Sequence, residues 1–244
     1  MTQRTLDRAV LDGFKLVVFD KDGTLIEFDA MWGGWLIALA QRLEADTGRA
    51  LDDQLFAAFG FDASTGRQTR GSRLSAMPMA RLREIGVDVL AESGMTRAAA
   101  LTAVERQWQA PDPVALARPL APLQELFRSL RGAGSKVGVA TIDDRVPTER
   151  TLDALGVREL VDGLACADDG LAVKPAPDMV LHLCRQLGVD PADSAVIGDS
   201  PSDLAMGRAA GAGFIVGVLT GVGSRGELAP IADVVVPSIA SLLP

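Results

Sequence analysis

The chain has 244 residues, 48% hydrophobic and 23% charged, with a formal net charge of −8. Those proportions exclude disordered and collagen-like chains and suit one large domain or a domain with a sizeable insertion. The acidic balance argues against a nucleic-acid partner held by a basic face, and no apolar run reaches the roughly 18 residues a membrane span requires.

In chain order, the first fifteen residues, MTQRTLDRAVLDGFK, mix charge and apolar character without a signal-peptide core, so a cytoplasmic setting is expected. A continuous apolar run, Leu16–Asp20 (LVVFD), predicts a strand covered on both faces. Residues 29 to about 117 carry no convincing strand and read as helices near 30–46, 51–59, 77–92 and 96–109. The Gly/Ser/Arg-rich stretch Asp62–Ser75 reads as a loop between them. From 119 onward, helical patterns alternate with apolar runs. Helices are expected at Pro119–Arg131, Pro147–Leu155, Pro177–Leu187 and Pro201–Ala210. Strands are expected at Lys136–Thr141, Ser194–Asp199, Gly213–Val218 and Asp233–Val236, with a weaker one at Val161–Ala167.

Strand–helix alternation of this kind is the mark of a doubly wound α/β layer with a parallel sheet. The expected domains are an α/β core, residues 1–28 plus 118–244, and an inserted all-helical cap, residues 29–117. A helical block placed after the first strand suggests a cap over the carboxyl edge of the sheet, where ligands of such folds bind.

Two cysteines, Cys166 and Cys184, are too few for a disulfide framework or a thiol-rich zinc site and read as reduced packing residues. The single histidine, His182, falls in a helical pattern and reads as structural. With no tyrosine and no G-x-S-x-G motif, catalysis would have to run on carboxylates, hydroxyls, amines or a metal.

Three of the apolar runs end in a polar residue at what would be one edge of the sheet. Leu16–Asp20 runs into Lys21-Asp22-Gly23-Thr24-Leu25; Lys136–Thr141 ends in a hydroxyl; Ser194–Asp199 is followed by Ser200-Pro201-Ser202-Asp203. Asp20, Asp22, Thr141 and Asp199 could therefore converge. Clustered carboxylates repel unless a cation sits among them, and an all-oxygen set suits Mg²⁺. A carboxylate beside Mg²⁺ can attack phosphorus, and Lys174 offers a positive charge for a phosphate. Bland readings exist for each piece: Asp-x-Asp-Gly is an ordinary turn, and Ser200-Pro201-Ser202-Asp203 is a plain helix start.

Taken together, D20-K-D-G-T-L25, Thr141, Lys174 and G198-D-S-P-S-D203 resemble the four motifs of the haloacid dehalogenase superfamily, in order and across nearly the whole chain. The helical insert and the stretch Ala172–Pro177 resemble its phosphoglycolate-phosphatase-like branch. The resemblance implies that Asp20 is a nucleophile forming an aspartyl-phosphate. Asp22 would then be the acid and base, and Thr141 and Lys174 would clamp the phosphoryl oxygens. It implies Mg²⁺ held by Asp20, Asp199 and the Asp22 backbone carbonyl, with Asp203 as a further ligand or a support. Asp22 and Asp199 speak against the ion-pump and dehalogenase relatives. Lys21 and Ile142 depart from the usual pattern.

The expected function is a Mg²⁺-dependent phosphomonoester phosphatase acting on a small phosphorylated metabolite, with 2-phosphoglycolate as the leading substrate. Alternatives are a β-phosphoglucomutase-like phosphotransferase and a non-catalytic phosphate-sensing module. Gly221-Val222-Gly223-Ser224-Arg225-Gly226 matches a dinucleotide fingerprint, but lacks a following helix and acidic partner and reads as a surface turn. Trp32, Trp35, Leu36 and Leu39 form a helical apolar stripe. Arg67, Arg70 and Arg73 read as a solvated basic loop or an anion contact.

Overall fold

A computed structural model describes residues 10–69 and 71–243. Arg70 and most of the amino-terminal segment for which no signal-peptide core was expected lie outside the described residues. The chain forms two compact units, Phe28–Leu116 and the remainder. Among the described residues no helix is long and apolar enough to cross a membrane.

The unit Phe28–Leu116 is built on helices α1 (Phe28–Thr47), α2 (Asp52–Phe59), α3 (Met79–Glu92) and α4 (Arg97–Gln107). The apolar stripe of α1 is buried, as its spacing requires: Trp32, Trp35, Leu36 and Leu39 are all at most 4% exposed. Trp35 stands edge-on to Trp32 and to Trp108, and its indole N–H donates to the Gln109 carbonyl at 2.6 Å. The polar tip of the central indole is thus satisfied within the buried cluster.

The stretch expected as a plain loop contains more structure. Phe61–Asp62 pairs antiparallel with Arg67–Gln68, and Arg73–Ala76 forms a helical turn. The Asp62 side chain accepts from the Ser64 backbone N–H and hydroxyl, an Asx turn that folds the chain back on itself. Arg67 and Arg73 are exposed, as a solvated loop would have them.

The second unit is a six-stranded parallel sheet flanked by helices. Its strands are β1 (Leu16–Phe19), β2 (Lys136–Ala140), β3 (Gly163–Ala165), β4 (Ser194–Gly198), β5 (Phe214–Val218) and β6 (Val234–Val236), in spatial order β3-β2-β1-β4-β5-β6. Helices α5 (Leu123–Gly132), α6 (Arg145–Ala154), α7 (Asp178–Leu187) and α8 (Pro201–Ala210) connect them. The doubly wound α/β expectation therefore holds. Helix α5 starts at Leu123 rather than at Pro119, because Pro119 pairs with Ile26 and Leu120 N–H donates to the Leu25 carbonyl.

Strands β1 and β4 are buried throughout, which explains their unbroken apolar sequences. Helix α7 lies flush on β2 and β3 because Gly138 and Gly163 leave room for Leu183. A Cβ at Gly163 would approach Leu183 to 2.9 Å. Leu183 is fully buried, and truncating it to Ala would cost about 2–5 kcal/mol.

Register sets the site. Phe19 lies opposite both Val139 and Ile197, so the residue after β1 emerges between the ends of β2 and β4. At this switch point the connections leave toward opposite sides, which opens a crevice at the carboxyl edge.

Candidate active site

Asp20 follows β1, its backbone held by a hydrogen bond to the Ile197 carbonyl at 2.9 Å. The chain then turns sharply: Leu25 N–H donates to the Lys21 carbonyl, and Gly23 takes φ +90°, a conformation that glycine adopts without penalty. A Cβ at Gly23 would also lie 2.7 Å from an Asp199 oxygen, so glycine is required there on two counts. Thr220, just beyond the end of β5, pins the turn, its hydroxyl donating to the Gly23 carbonyl at 2.6 Å.

Asp199 follows β4 and is buried. One carboxylate oxygen accepts from the Thr24 hydroxyl at 3.0 Å and the other from the Val222 backbone N–H at 2.9 Å. Gly221 and Gly223 close tightly around it, and a Cβ at either would collide with Asp199 atoms. The glycine motif read as a surface turn is therefore the cradle of Asp199.

Asp203 sits in the first turn of α8. Its Oδ2 accepts from Ser200 N–H and Oγ–H at 3.0 and 2.6 Å, while Ser200 Oγ accepts from Asp203 N–H: a reciprocal capping box. Its Oδ1 faces Lys174 Nζ at 2.6 Å. The helix-start reading and the site reading of this residue thus apply together.

Lys174 also meets Asp20 Oδ1 at 2.5 Å and is only 4% exposed. Burial disfavours its charge, yet Asp20 and Asp203 outweigh that and hold the ammonium above the ordinary lysine range. Burial pushes Asp20 up to about 6; Lys174 opposes the rise, and Asp203 and Asp22 add to it. Burial, with Asp20 and Asp203 nearby, lifts Asp199 well above the usual carboxylate range against the Val222 and Thr24 hydrogen bonds. These are carboxylates short of positive charge.

Asp20, Asp199 and Asp203 each offer an oxygen within 4.8 Å of the others, a set that could hold a metal ion. Asp20 Oδ2 is buried with no hydrogen-bond partner among the described residues, and all the donors are hard oxygens. The residues fit a hard divalent cation, for which an all-oxygen set with spare ligand positions is suited.

Asp22 lies apart from that trio, with its carboxylate against Lys21. Thr141 follows β2, its N–H donating to the Ala165 carbonyl and its hydroxyl accepting from Asp143 N–H at 3.1 Å. The remaining sequence-derived residues, Asp20, Lys174, Asp199 and Asp203, converge directly. Thr24, Thr220 and the 221–223 backbone were missed as supports of the site. Paired glycines beside a strand end were the available signal, since they permit close backbone approach. His182 lies on α7, while Cys166 and Cys184 are buried free thiols.

The haloacid dehalogenase-like hydrolase family model matches residues 14–211. The chain belongs to that family. A phosphoglycolate phosphatase from Rhodospirillum rubrum is 28% identical over 202 residues, covering 83% of this chain and 78% of the relative. A β-phosphoglucomutase from Mycobacterium bovis is 36% identical over 115 residues, 44% of each chain, so the match spans less than half of that relative's length. The crystal structure of a predicted phosphoglycolate phosphatase from Haemophilus somnus 129pt superposes with a TM-score of 0.67 at 19% identity, covering 94% of this chain and 96% of that one. This last likeness concerns the haloacid dehalogenase-like fold.

Proposed function

We propose that the chain is a Mg²⁺-dependent phosphomonoester phosphatase that carries the phosphoryl group on Asp20. The observation behind this reading is the state of Asp20: one oxygen is bound to Lys174, and the other is buried beside two further carboxylates without a hydrogen-bond donor among the described residues.

In the first half-reaction Asp20 attacks phosphorus, the bond to the leaving oxygen breaks, and Asp22 supplies that oxygen with a proton. In the second, Asp22 takes a proton from water, which attacks phosphorus; the bond to Asp20 breaks and inorganic phosphate leaves. Lys174, with the Thr141 hydroxyl, takes the phosphoryl oxygens. Asp20 and Asp199, with the Asp22 backbone carbonyl and Asp203, would hold Mg²⁺. When bound, the metal offsets the repulsion between a carboxylate nucleophile and an anionic ester.

The substrate we propose is a small phosphorylated acid, with 2-phosphoglycolate first, supported by the Rhodospirillum relative. The residues of the helical unit, the proposed cap, would set this choice. A phosphotransferase returning the group to a sugar is the second reading, favoured by the Mycobacterium relative. The two buried free thiols support a reducing, cytoplasmic setting.

The test is phosphate release from an aryl phosphate with and without Mg²⁺, native protein against Asp20→Asn. Release that needs Mg²⁺ and Asp20 is expected; release by Asp20→Asn contradicts the covalent route. A hexose phosphate isomerised rather than hydrolysed would favour the phosphotransferase.

A further inference from the structure

Lys21 stands between the two motif aspartates, where the family resemblance offers it no role. Its side chain is 1% exposed, and its Nζ lies 2.5 Å from Asp22 Oδ2 and 3.5 Å from Asp143 Oδ2. Asp143 is itself buried and fixed from behind. Its Oδ1 accepts from Asp144 N–H at 2.9 Å, and its own N–H donates to Thr141 Oγ at 3.1 Å. A continuous chain of polar contacts therefore runs from Thr141 through Asp143 and Lys21 to Asp22.

We propose that Lys21 is a positioning residue for Asp22, anchored by Asp143. The assignment rests on the proposed phosphatase reading, in which Asp22 moves the proton. A buried ammonium costs desolvation that an apolar side chain of similar length would avoid, so packing alone gives no reason for lysine here. The ion pair instead fixes the direction of a carboxyl group that sits in a turn, on the first residues beyond a strand. General acid catalysis requires the acid within hydrogen-bond reach of the oxygen it protonates, and an ion pair to one carboxylate oxygen supplies that restraint. Asp143, as a second anion on the same ammonium, keeps Lys21 from relaxing toward other partners. It also ties Asp22 to the strand end that carries Thr141.

Leaving-group dependence separates positioning from a general weakening of the fold. A p-nitrophenolate leaves without needing a proton; an alkoxide does not. kcat/KM covers the steps through the departure of the leaving group, so of the two proton transfers assigned to Asp22 it includes only the first. The substrates are p-nitrophenyl phosphate and whichever of 2-phosphoglycolate, glycerol 3-phosphate and glucose 6-phosphate the native protein hydrolyses best. For Lys21→Met, kcat/KM on the alkyl ester is expected to fall about 10- to 100-fold, short of the roughly 10²- to 10⁴-fold that losing the acid itself would cost, and on the aryl ester by less than about 3-fold.

Because Lys21→Met strands Asp143, the double variant Lys21→Met with Asp143→Asn removes both charges together and is expected to show the same split. Asp22→Asn marks the limit of the effect. An alkyl-to-aryl ratio unchanged from native in the double variant overturns the assignment, whether both rates fall equally or neither falls. If the native protein hydrolyses none of the esters, or Asp20→Asn still does, the covalent reading itself falls and this assignment with it.

Discussion

Gly221 lies so close to Asp199 that any side chain at 221 would run into the Asp199 carboxylate. The two are brought together by β4 and β5, and Val222 N–H completes the contact with a hydrogen bond at 2.9 Å. A carboxylate raised well above its ordinary range by burial is thus held in one orientation by the 221–223 backbone on one side and the Thr24 hydroxyl on the other. For Gly221→Ala, forcing a methyl group into this space is expected to cost about 1–3 kcal/mol. Thermal unfolding with and without Mg²⁺ checks it: the stabilisation by Mg²⁺ should shrink in the variant. An undiminished Mg²⁺ effect would contradict the role given to Asp199.

Lys174 bridges Asp20 and Asp203, and all three side chains are under 10% exposed. Lys174→Met leaves two buried carboxylates facing each other without their cation. The expected loss is about 3–5 kcal/mol, as for breaking one side of a buried ion pair. Denaturant unfolding in chelator measures it. The double variant Lys174→Met with Asp203→Asn should recover part of the loss, and no recovery would mean that repulsion is not its source.

Ser200 caps α8 while holding Asp203 Oδ2. Ser200→Ala should cost about 0.5–2 kcal/mol, the usual range for a lost cap. It should also weaken Mg²⁺ binding, read by isothermal titration. A stability loss with unchanged Mg²⁺ affinity would confine Ser200 and Asp203 to the helix start.

The raised carboxylates give the metal-free protein a defined pH response. Asp20 moves from an ordinary value near 3.8 to about 6, and Asp199 moves in the same direction. Between roughly pH 4 and 6 the native state therefore binds more protons than the unfolded state, and this contribution to stability falls as pH rises through that window. In chelator, the stability of native protein relative to Asp20→Asn should decline as pH rises from about 4 to about 6 and then level off. Mg²⁺ should abolish the decline. A relative stability that rises with pH would show that the carboxylates are not electrostatically frustrated.

Strands β1, β2 and β4 were legible because parallel strands buried on both faces need continuous apolar runs, and each run stops at a polar residue of the site. Asp20, Thr141 and Asp199 could be placed at one edge of the sheet on that basis, and register sets the ends of their strands side by side. The pairing of Phe61–Asp62 with Arg67–Gln68 was not legible, since two residues per strand carry no period; the Asp62 turn makes it. The glycines at 221 and 223 read in sequence as a surface turn, although paired glycines beside a strand end also permit close backbone approach; which reading applies depends on packing against Asp199, 22 positions before Gly221. Lys21 carries no signal in the sequence, because one of its two carboxylate partners, Asp143, lies 122 positions away in the chain.

The proposed mechanism requires Asp20 to carry the phosphoryl group. Acid quenching during turnover of an aryl phosphate with Mg²⁺, followed by mass spectrometry of the peptide containing Asp20, measures this. One phosphoryl group is expected on Asp20, discharged when substrate is exhausted and absent in Asp20→Asn, which should not turn over. A phosphoryl group on another residue, or sustained turnover by Asp20→Asn, would contradict it.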